Sequence, residues 1–308
     1  MTGARQASVR MPWMIAGAVL VALGCGRGRE PGEIPAAAPM IVRDAGFATP
    51  ESMLHDPLTD IYYVSNINGS PTEEDDNGFI SALSPTGEVL MLKWADGATD
   101  SVTLHAPKGM TVVGDYLYVA DINTIRRFDR QTGGPRGETR IPGVTFLNDL
   151  FATTDGSIYF TDTGLRTGAG GLEPSGTDGV FRLRPDGGLD TLAIGEALGR
   201  PNGIVLVGDT VWVVSFGSGE LYRVAGGQKV GAVKLPQGQL DGLLVVNREM
   251  YISSWEGSSI LRGSGQSFSD ALKGVEAPAD LGYDAFRHRL LVPLFNANEI
   301  RIVPLAPF

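Results

Sequence analysis

The 308-residue sequence contains one cysteine, Cys25, and three histidines. A lone cysteine cannot form an intramolecular disulfide, so other forces must hold the fold together. Basic residues are also scarce, because 25 Lys and Arg stand against 35 Asp and Glu and leave a net charge of −10. This charge repels polyphosphate and argues against a nucleic-acid partner. Glycine is abundant, with 42 residues, which is typical of a turn-rich chain of many short strands.

Long apolar runs are also lacking, and the run over residues 13–23 is too short to span a bilayer as a stable anchor. Arg5 and Arg10 precede this run, as in an export signal. The following residues 21–25, Val-Ala-Leu-Gly-Cys, resemble the bacterial lipobox, in which a small residue precedes a lipidated cysteine. The sequence therefore predicts a lipoprotein-type signal peptide ending at the lipidation site Cys25.

The segment over residues 26–39 is rich in Gly, Pro and Ala, which is typical of a flexible tether. The expected location is the bacterial cell envelope, with attachment by the lipid anchor only, facing the periplasm or the exterior. The alternative is an ordinary signal peptide in which the cysteine is incidental. In that case Cys25 would be a reactive thiol without a function.

A repeat of short strands runs through the rest of the chain. In each of six units a polar lead residue is followed, 10 or 11 positions later, by a large apolar residue at the centre of a strand. The lead residues are Glu51, Lys108, Asn148, Asn202, Asp241 and Asp280. Successive leads are 57, 40, 54, 39 and 39 residues apart, which is the period of a four-stranded propeller blade with insertions in the first and third units.

The sequence thus predicts an all-β fold, with one six-bladed β-propeller over residues 40–308. Fourth strands are visible in the first five units but not in the sixth. Residues 40–44 are strand-like and precede the first unit. We therefore expect this N-terminal strand to complete the last blade and leave no open edge between the first and last blades.

The two insertions cover residues 68–77 and 165–178. Both are expected near the rim of the propeller. The acidic run at residues 73–76 of the first insertion is typical of a solvated loop.

Equivalent positions converge in a propeller, because the innermost strand of each blade lines the central channel. The lead residues are therefore expected at one mouth of that channel. Taken singly, the Asn-Gly and Asp-Gly pairs at positions 202 and 241 are ordinary turn dipeptides. Taken together, two carboxylates and two carboxamides are hard oxygen ligands that suit Ca²⁺. Zinc is disfavoured because the three histidines fall at non-equivalent positions of the repeat.

Short motifs surround four of the lead residues in order: Thr49-Pro50-Glu51, Phe146-Leu147-Asn148-Asp149, Pro201-Asn202-Gly203 and Leu240-Asp241-Gly242. From about residue 49 to residue 305 the sequence resembles the family of senescence marker protein (regucalcin), gluconolactonase and luciferin-regenerating enzyme. The resemblance implies that Glu51, Asn202 and Asp241 bind a divalent metal. It also implies that Asn148 lies beside the metal as a ligand or substrate contact.

Two departures from that family bear on the substrate. Members that act on sugar lactones tend to carry Arg and Gly where this chain has Phe146 and Leu150. The expected substrate is therefore a more apolar ester or lactone. Its predicted contacts are Asn148, Phe146 and Lys108. The protein itself is expected to be a monomer. Lys108 is expected to point away from the ion or to pair with Asp280.

Two functions remain open. The first is a hydrolase that opens a lactone or related ester, in which Ca²⁺ or another divalent cation polarises the carbonyl and a carboxylate, Asp241 or Asp149, assists the attacking water. The second is a non-catalytic extracytoplasmic propeller that binds a protein or glycan and contains a structural cation. The fold alone does not decide between them.

Overall fold

The structure, a computed structural model, describes residues 1–3 and 38–305. The strands form six four-stranded antiparallel sheets and one two-stranded hairpin, which confirms the predicted six-bladed all-β propeller. Within these ranges the one helix is a single 3₁₀ turn, Glu196–Leu198. No helix in the described part is long and apolar enough to cross a membrane. Cys25 and most of the predicted signal peptide and tether lie outside the described residues.

Within the first five blades the strands follow one another in sequence from the channel outwards. The innermost strands are Pro50–Asp56, Pro107–Val113, Leu147–Ala152, Pro201–Val207, Leu240–Val246 and Gly282–Asp284. The second strands are Ile61–Asn66, Tyr116–Asp121, Ile158–Asp162, Thr210–Ser215, Glu249–Ser254 and Arg289–Leu294. The third strands are Phe79–Leu83, Thr124–Asp129, Gly179–Leu183, Glu220–Ala225, Ser259–Ser264 and Glu299–Pro304. The outermost strands are Val89–Asp96, Pro135–Arg140, Leu189–Ile194, Gln228–Lys234, Ser267–Lys273 and, in the sixth blade, Met40–Val42.

The N-terminal strand closes the ring. Met40–Val42 pairs antiparallel with Glu299–Pro304, and Met40 lies opposite the fully buried Ile302. Phe47, on the segment that leads from this strand into the first blade, is 5% exposed and packs in the core shared by the first and last blades. The predicted closure is therefore confirmed, with a strand two residues shorter than expected.

Polar contacts reinforce the junction between the first and last blades. The hydroxyl of Tyr62 donates a hydrogen bond to Asp284 Oδ2 at 2.5 Å. Arg287 donates to both carboxylate oxygens of Asp60, at 2.8 and 2.6 Å. These contacts join residues more than 220 positions apart, so they exist only when the ring is closed.

A β-bulge interrupts the innermost strand at the lead residue in five blades. The register shifts between Pro50 and Ser52 in the first blade and between Pro201 and Ile204 in the fourth, with matching shifts in the second, third and fifth. A bulge changes the direction of the side chains that it carries. The lead side chains are therefore released from the regular alternation of the strand.

The two insertions meet near the mouth of the channel. The second contains a hairpin, Leu165–Gly168 and Gly171–Pro174, which the sequence did not predict because the glycines at its tip are typical of a loop. The hydroxyls of Thr72 and Thr167 lie 2.5 Å apart and connect the two insertions. The acidic run at residues 73–76 is exposed, as expected.

Candidate metal centre

The six lead residues are buried together at one end of the channel. Five of them occupy the second position of an innermost strand. The sixth, Asp280, joins them because its backbone N–H donates to the carbonyl of Glu51 at 2.9 Å. Their exposed fractions are 5% for Glu51, 0% for Lys108, 4% for Asn148, 3% for Asn202, 4% for Asp241 and 6% for Asp280.

Glycines after the lead residues let the innermost strands approach one another. A Cβ atom on Gly203 would lie 2.4 Å from the backbone oxygen of Asp241, and one on Gly242 would lie 2.5 Å from the backbone nitrogen of Leu281. Both glycines lie within strands. The reading of Asn202-Gly203 and Asp241-Gly242 as turns is therefore wrong, and the glycines are required by close packing around the channel.

Four of the lead side chains each have a buried oxygen without a hydrogen-bond partner among the described residues. We call this set the oxygen quartet: Glu51 Oε2, Asn148 Oδ1, Asn202 Oδ1 and Asp241 Oδ1. An unpaired buried polar atom lowers the stability of the fold by about 1–3 kcal/mol, and four such atoms at one site are unusual in a folded protein. These atoms come from the four residues expected as metal ligands. A mixed set of carboxylate and amide oxygens fits the ligand preference of Ca²⁺.

The amides are essential to this arrangement. Within the described ranges, no group of three or more His, Cys, Asp and Glu side chains is placed to hold a metal ion by itself. Asn148 Nδ2 donates to Thr163 Oγ1 at 2.9 Å, and that hydroxyl donates to the carbonyl of Pro201 at 2.8 Å. Because its nitrogen is committed to Thr163, Asn148 has its carbonyl oxygen free for a ligand.

The buried carboxyl groups raise one another's pKa. Burial raises the pKa of Glu51 well above its usual value, and the charges of Asp241 and Asp280 raise it further. Burial and the charge of Asp280 also raise the pKa of Asp241, while burial raises the pKa of Asp280 to about 6. Burial lowers the pKa of Lys108 to about 8. The site therefore concentrates negative charge that a bound cation would offset.

Lys108 contacts backbone carbonyls rather than a carboxylate. Its Nζ donates to the carbonyls of Ala106 and Pro71, at 2.8 and 3.1 Å, and lies 4.5 Å from the centre of the Phe146 ring. Of the two alternatives expected for Lys108, the pairing with Asp280 is not found in the described part of the chain, where its Nζ donates to carbonyls instead. The bond to Pro71 holds the first insertion beside the mouth.

Asp149 accepts hydrogen bonds from two backbone N–H groups. Its Oδ1 accepts the N–H of Leu150 at 2.7 Å and its Oδ2 accepts the N–H of Ile204 at 2.8 Å. The bond from Ile204 ties the third blade to the fourth. The choice of Asp149 as a base therefore stays a prediction: each of its oxygens accepts a backbone N–H, while burial and the charge of Asp280 raise its pKa well above the usual value.

Removing divalent cations is expected to make stability depend on pH through this cluster. A carboxyl group whose pKa is higher in the folded than in the unfolded state stabilises fully below the unfolded pKa of about 4, and this contribution is lost as pH rises through the folded pKa. For Asp280 that loss spans about pH 4 to 6, and the raised pKa values of Glu51 and Asp241 extend it upwards. In EDTA we expect the Tm at pH 8 to be at least about 5 °C below that at pH 5, and calcium to restore it. Thermal unfolding checks this, and an equal or higher Tm at pH 8 in EDTA would contradict it.

Comparisons with known proteins support the fold and the resemblance. No protein-family model matches the chain. A segment of 65 residues is 45% identical to the gluconolactonase of Zymomonas mobilis, and this match spans 20% of the present chain and 18% of that enzyme. Among solved structures, a gluconolactonase from Xanthomonas campestris matches with a TM-score of 0.64 and 20% identity, over 88% of this chain and 97% of that one.

Luciferin-regenerating enzyme matches with a TM-score of 0.62 and 13% identity, over 87% of this chain and 96% of that one. At these identities the structural matches establish the fold alone. The resemblance to gluconolactonase and luciferin-regenerating enzyme predicted from the motifs is confirmed, by sequence over the matched segment and by fold over most of the chain.

Proposed function

We propose that this protein is a hydrolase that opens a lactone or a related ester, and that it depends on Ca²⁺, or another divalent cation, bound by the oxygen quartet. The observation that carries the proposal is the quartet itself, four buried oxygens at one end of the channel that have no hydrogen-bond partner among residues 38–305. The 45% identity with a gluconolactonase over 65 residues supports lactone chemistry. The shared propeller fold is consistent with it.

A bound cation would supply Lewis-acid polarisation of the substrate carbonyl. Asp241 is the carboxylate proposed to accept a proton from the attacking water, through its second oxygen, Oδ2, because the quartet uses only its Oδ1 and two backbone N–H groups hold Asp149. Thr163 keeps the carbonyl oxygen of Asn148 directed to the ligand. Lys108 uses two of its three N–H groups on carbonyls, which leaves one for a substrate oxygen.

Activity is tested by supplying aliphatic and aromatic lactones to purified protein in calcium and in EDTA and following acid release. We expect hydrolysis in calcium and none in EDTA. Asp241→Asn should lower kcat by about 10²- to 10⁴-fold. The matched control is Asp209→Asn, an exposed aspartate on a turn of the fourth blade, which should leave kcat unchanged. Tight calcium binding without hydrolysis of any lactone or ester would overturn the proposal and favour a binding protein with a structural cation.

We also propose that Cys25 carries a lipid anchor at the cell envelope, on the support of the lipobox-like residues 21–25. Cys25→Ser should release the protein from the membrane fraction, because the proposed attachment is the lipid alone. Its calcium affinity should match that of the wild type. Fractionation followed by immunoblotting measures the distribution, and a variant that stays fully in the membrane fraction would contradict the anchor.

A further inference from the structure

One residue in each blade directly follows the second strand. The six residues are Ile67, Ile122, Thr163, Phe216, Trp255 and Phe295. In each antiparallel pair the end of the second strand lies opposite the start of the innermost strand, where the lead residue is; Leu240, for example, pairs with Ser254. These six positions are therefore at the same end of the propeller as the oxygen quartet.

The backbone fixes the three aromatic members of this set. The N–H groups of Phe216, Trp255 and Phe295 donate to carbonyls on the segments that enter the innermost strands of the same blades, at 2.9, 3.1 and 3.1 Å. The backbone that carries these rings is thus fixed to the fourth, fifth and sixth blades. Anchored rings suit selective binding, because little conformational entropy is lost when a ligand packs on them.

The apolar members contact one another across five blades. The centres of the Phe216 and Trp255 rings are 5.5 Å apart in an edge-to-face arrangement, and those of Trp255 and Phe295 are 5.1 Å apart. Phe295 in turn packs against the buried Ile67 and Ile122. We call these five side chains the collar. Only in the third blade is the position polar, and there Thr163 holds the metal-ligand candidate Asn148.

The collar has the chemistry of an apolar binding surface. Phe216, Trp255 and Phe295 are each half-buried, in contrast to the buried Ile67 and Ile122. These five side chains bury flat, apolar groups well, but they carry no hydroxyl, amide or charged group to pair with the hydroxyls of a sugar ring, which would lose water there. The indole Nε1 of Trp255 is itself buried, and the Trp255 side chain lies beside Asp241, whose pKa it lowers, so the collar adjoins the quartet.

We propose that the collar selects lactones or esters that carry an apolar substituent, above all an aromatic ring, and disfavours polyhydroxylated sugar lactones. This inference rests on the proposed hydrolase function and narrows its substrate class. Phe216, Trp255 and Phe295 are specificity-determining residues in this view. Asp241 and the rest of the quartet act on the reacting carbonyl of the substrate. The collar binds the apolar substituent that the lactone or ester carries.

The test uses unreactive ring analogues, so that binding is measured without catalysis. Calorimetry compares 5-phenylpyrrolidin-2-one with unsubstituted pyrrolidin-2-one on the calcium-loaded protein. We expect the phenyl compound to bind at least about tenfold more tightly. In Trp255→Gln and in Phe216→Gln, the affinities for the two compounds should differ by no more than about threefold. Trp255→Phe should retain most of the preference for the phenyl compound. The control is Phe286→Gln, which removes a ring that is 62% exposed outside the collar.

The same variants are then assayed with phenyl-substituted and unsubstituted lactones. A loss of kcat/KM confined to the phenyl substrate supports the collar. If both lactones are hydrolysed equally well and the collar variants affect them equally, the collar proposal is overturned while the hydrolase function stands. If no lactone is hydrolysed but the phenyl compound binds preferentially and loses its preference in Trp255→Gln, the hydrolase function fails while the collar stands as a binding site.

Discussion

Glu51→Gln and Asp241→Asn are each expected to weaken calcium binding by about 100-fold or more, whereas Asn202→Ala should weaken it less. The reason is Coulombic, because each carboxylate contributes net attraction to a divalent cation in a buried site, while an amide contributes only a dipole. Isothermal titration of calcium into metal-stripped protein measures the three affinities. Asp209→Asn, on an exposed turn, is the control and should bind as the wild type does.

The same two variants should have the opposite effect on the metal-free protein. Burial and neighbouring charges raise the pKa of both carboxyl groups, so a neutral amide relieves repulsion when no cation is present. In EDTA at pH 8, Glu51→Gln and Asp241→Asn should therefore melt at or above the wild-type temperature, and calcium should raise their Tm less than it raises that of the wild type. If Glu51→Gln and Asp241→Asn both bind calcium as tightly as the wild type, the proposed metal site is wrong.

A chain that begins at Thr49 is expected to be insoluble or to unfold far more easily than one that begins at residue 38. The shorter chain lacks the strand Met40–Val42, which pairs with Glu299–Pro304, and it lacks the buried Phe47. Losing a buried Phe side chain alone costs about 3–5 kcal/mol, a large part of the total stability of a typical domain. The unpaired edge would also favour aggregation.

Urea unfolding of both chains measures the difference. The chain from residue 38 is the matched control, because it lacks residues 1–37 but keeps the closing strand. Equal midpoints for the two chains would show that the N-terminal strand does not close the ring.

The propeller could be predicted from the sequence because equivalent residues recur at a regular spacing along the chain. Each lead residue precedes the centre of the second strand by 10 or 11 positions, and this phase is set by strand and turn lengths that every blade must share. The same argument placed Glu51, Asn148, Asn202 and Asp241 together. The closing strand could be predicted because the sixth unit had no fourth strand of its own.

Other features depend on geometry that the sequence does not encode locally. Whether Asp149 is free or engaged is decided by the N–H of Ile204, 55 residues away on the next blade. The glycines after Asn202 and Asp241 have a turn-like sequence, yet their role is set by the distance between neighbouring strands. The collar was missed because its members differ in type, from Ile67 to Trp255, and share only a position at the end of the second strand.

The most direct test of the metal site is an anomalous difference map from crystals grown with calcium. The map should show a strong peak at the end of the channel, with Glu51 Oε2, Asn148 Oδ1, Asn202 Oδ1 and Asp241 Oδ1 each about 2.3–2.6 Å from it. A second data set from Asp241→Asn crystals at the same calcium concentration should show that peak weakened or lost. A wild-type map with no peak among these four oxygens, at a calcium concentration that saturates any binding seen by calorimetry, would contradict the assignment.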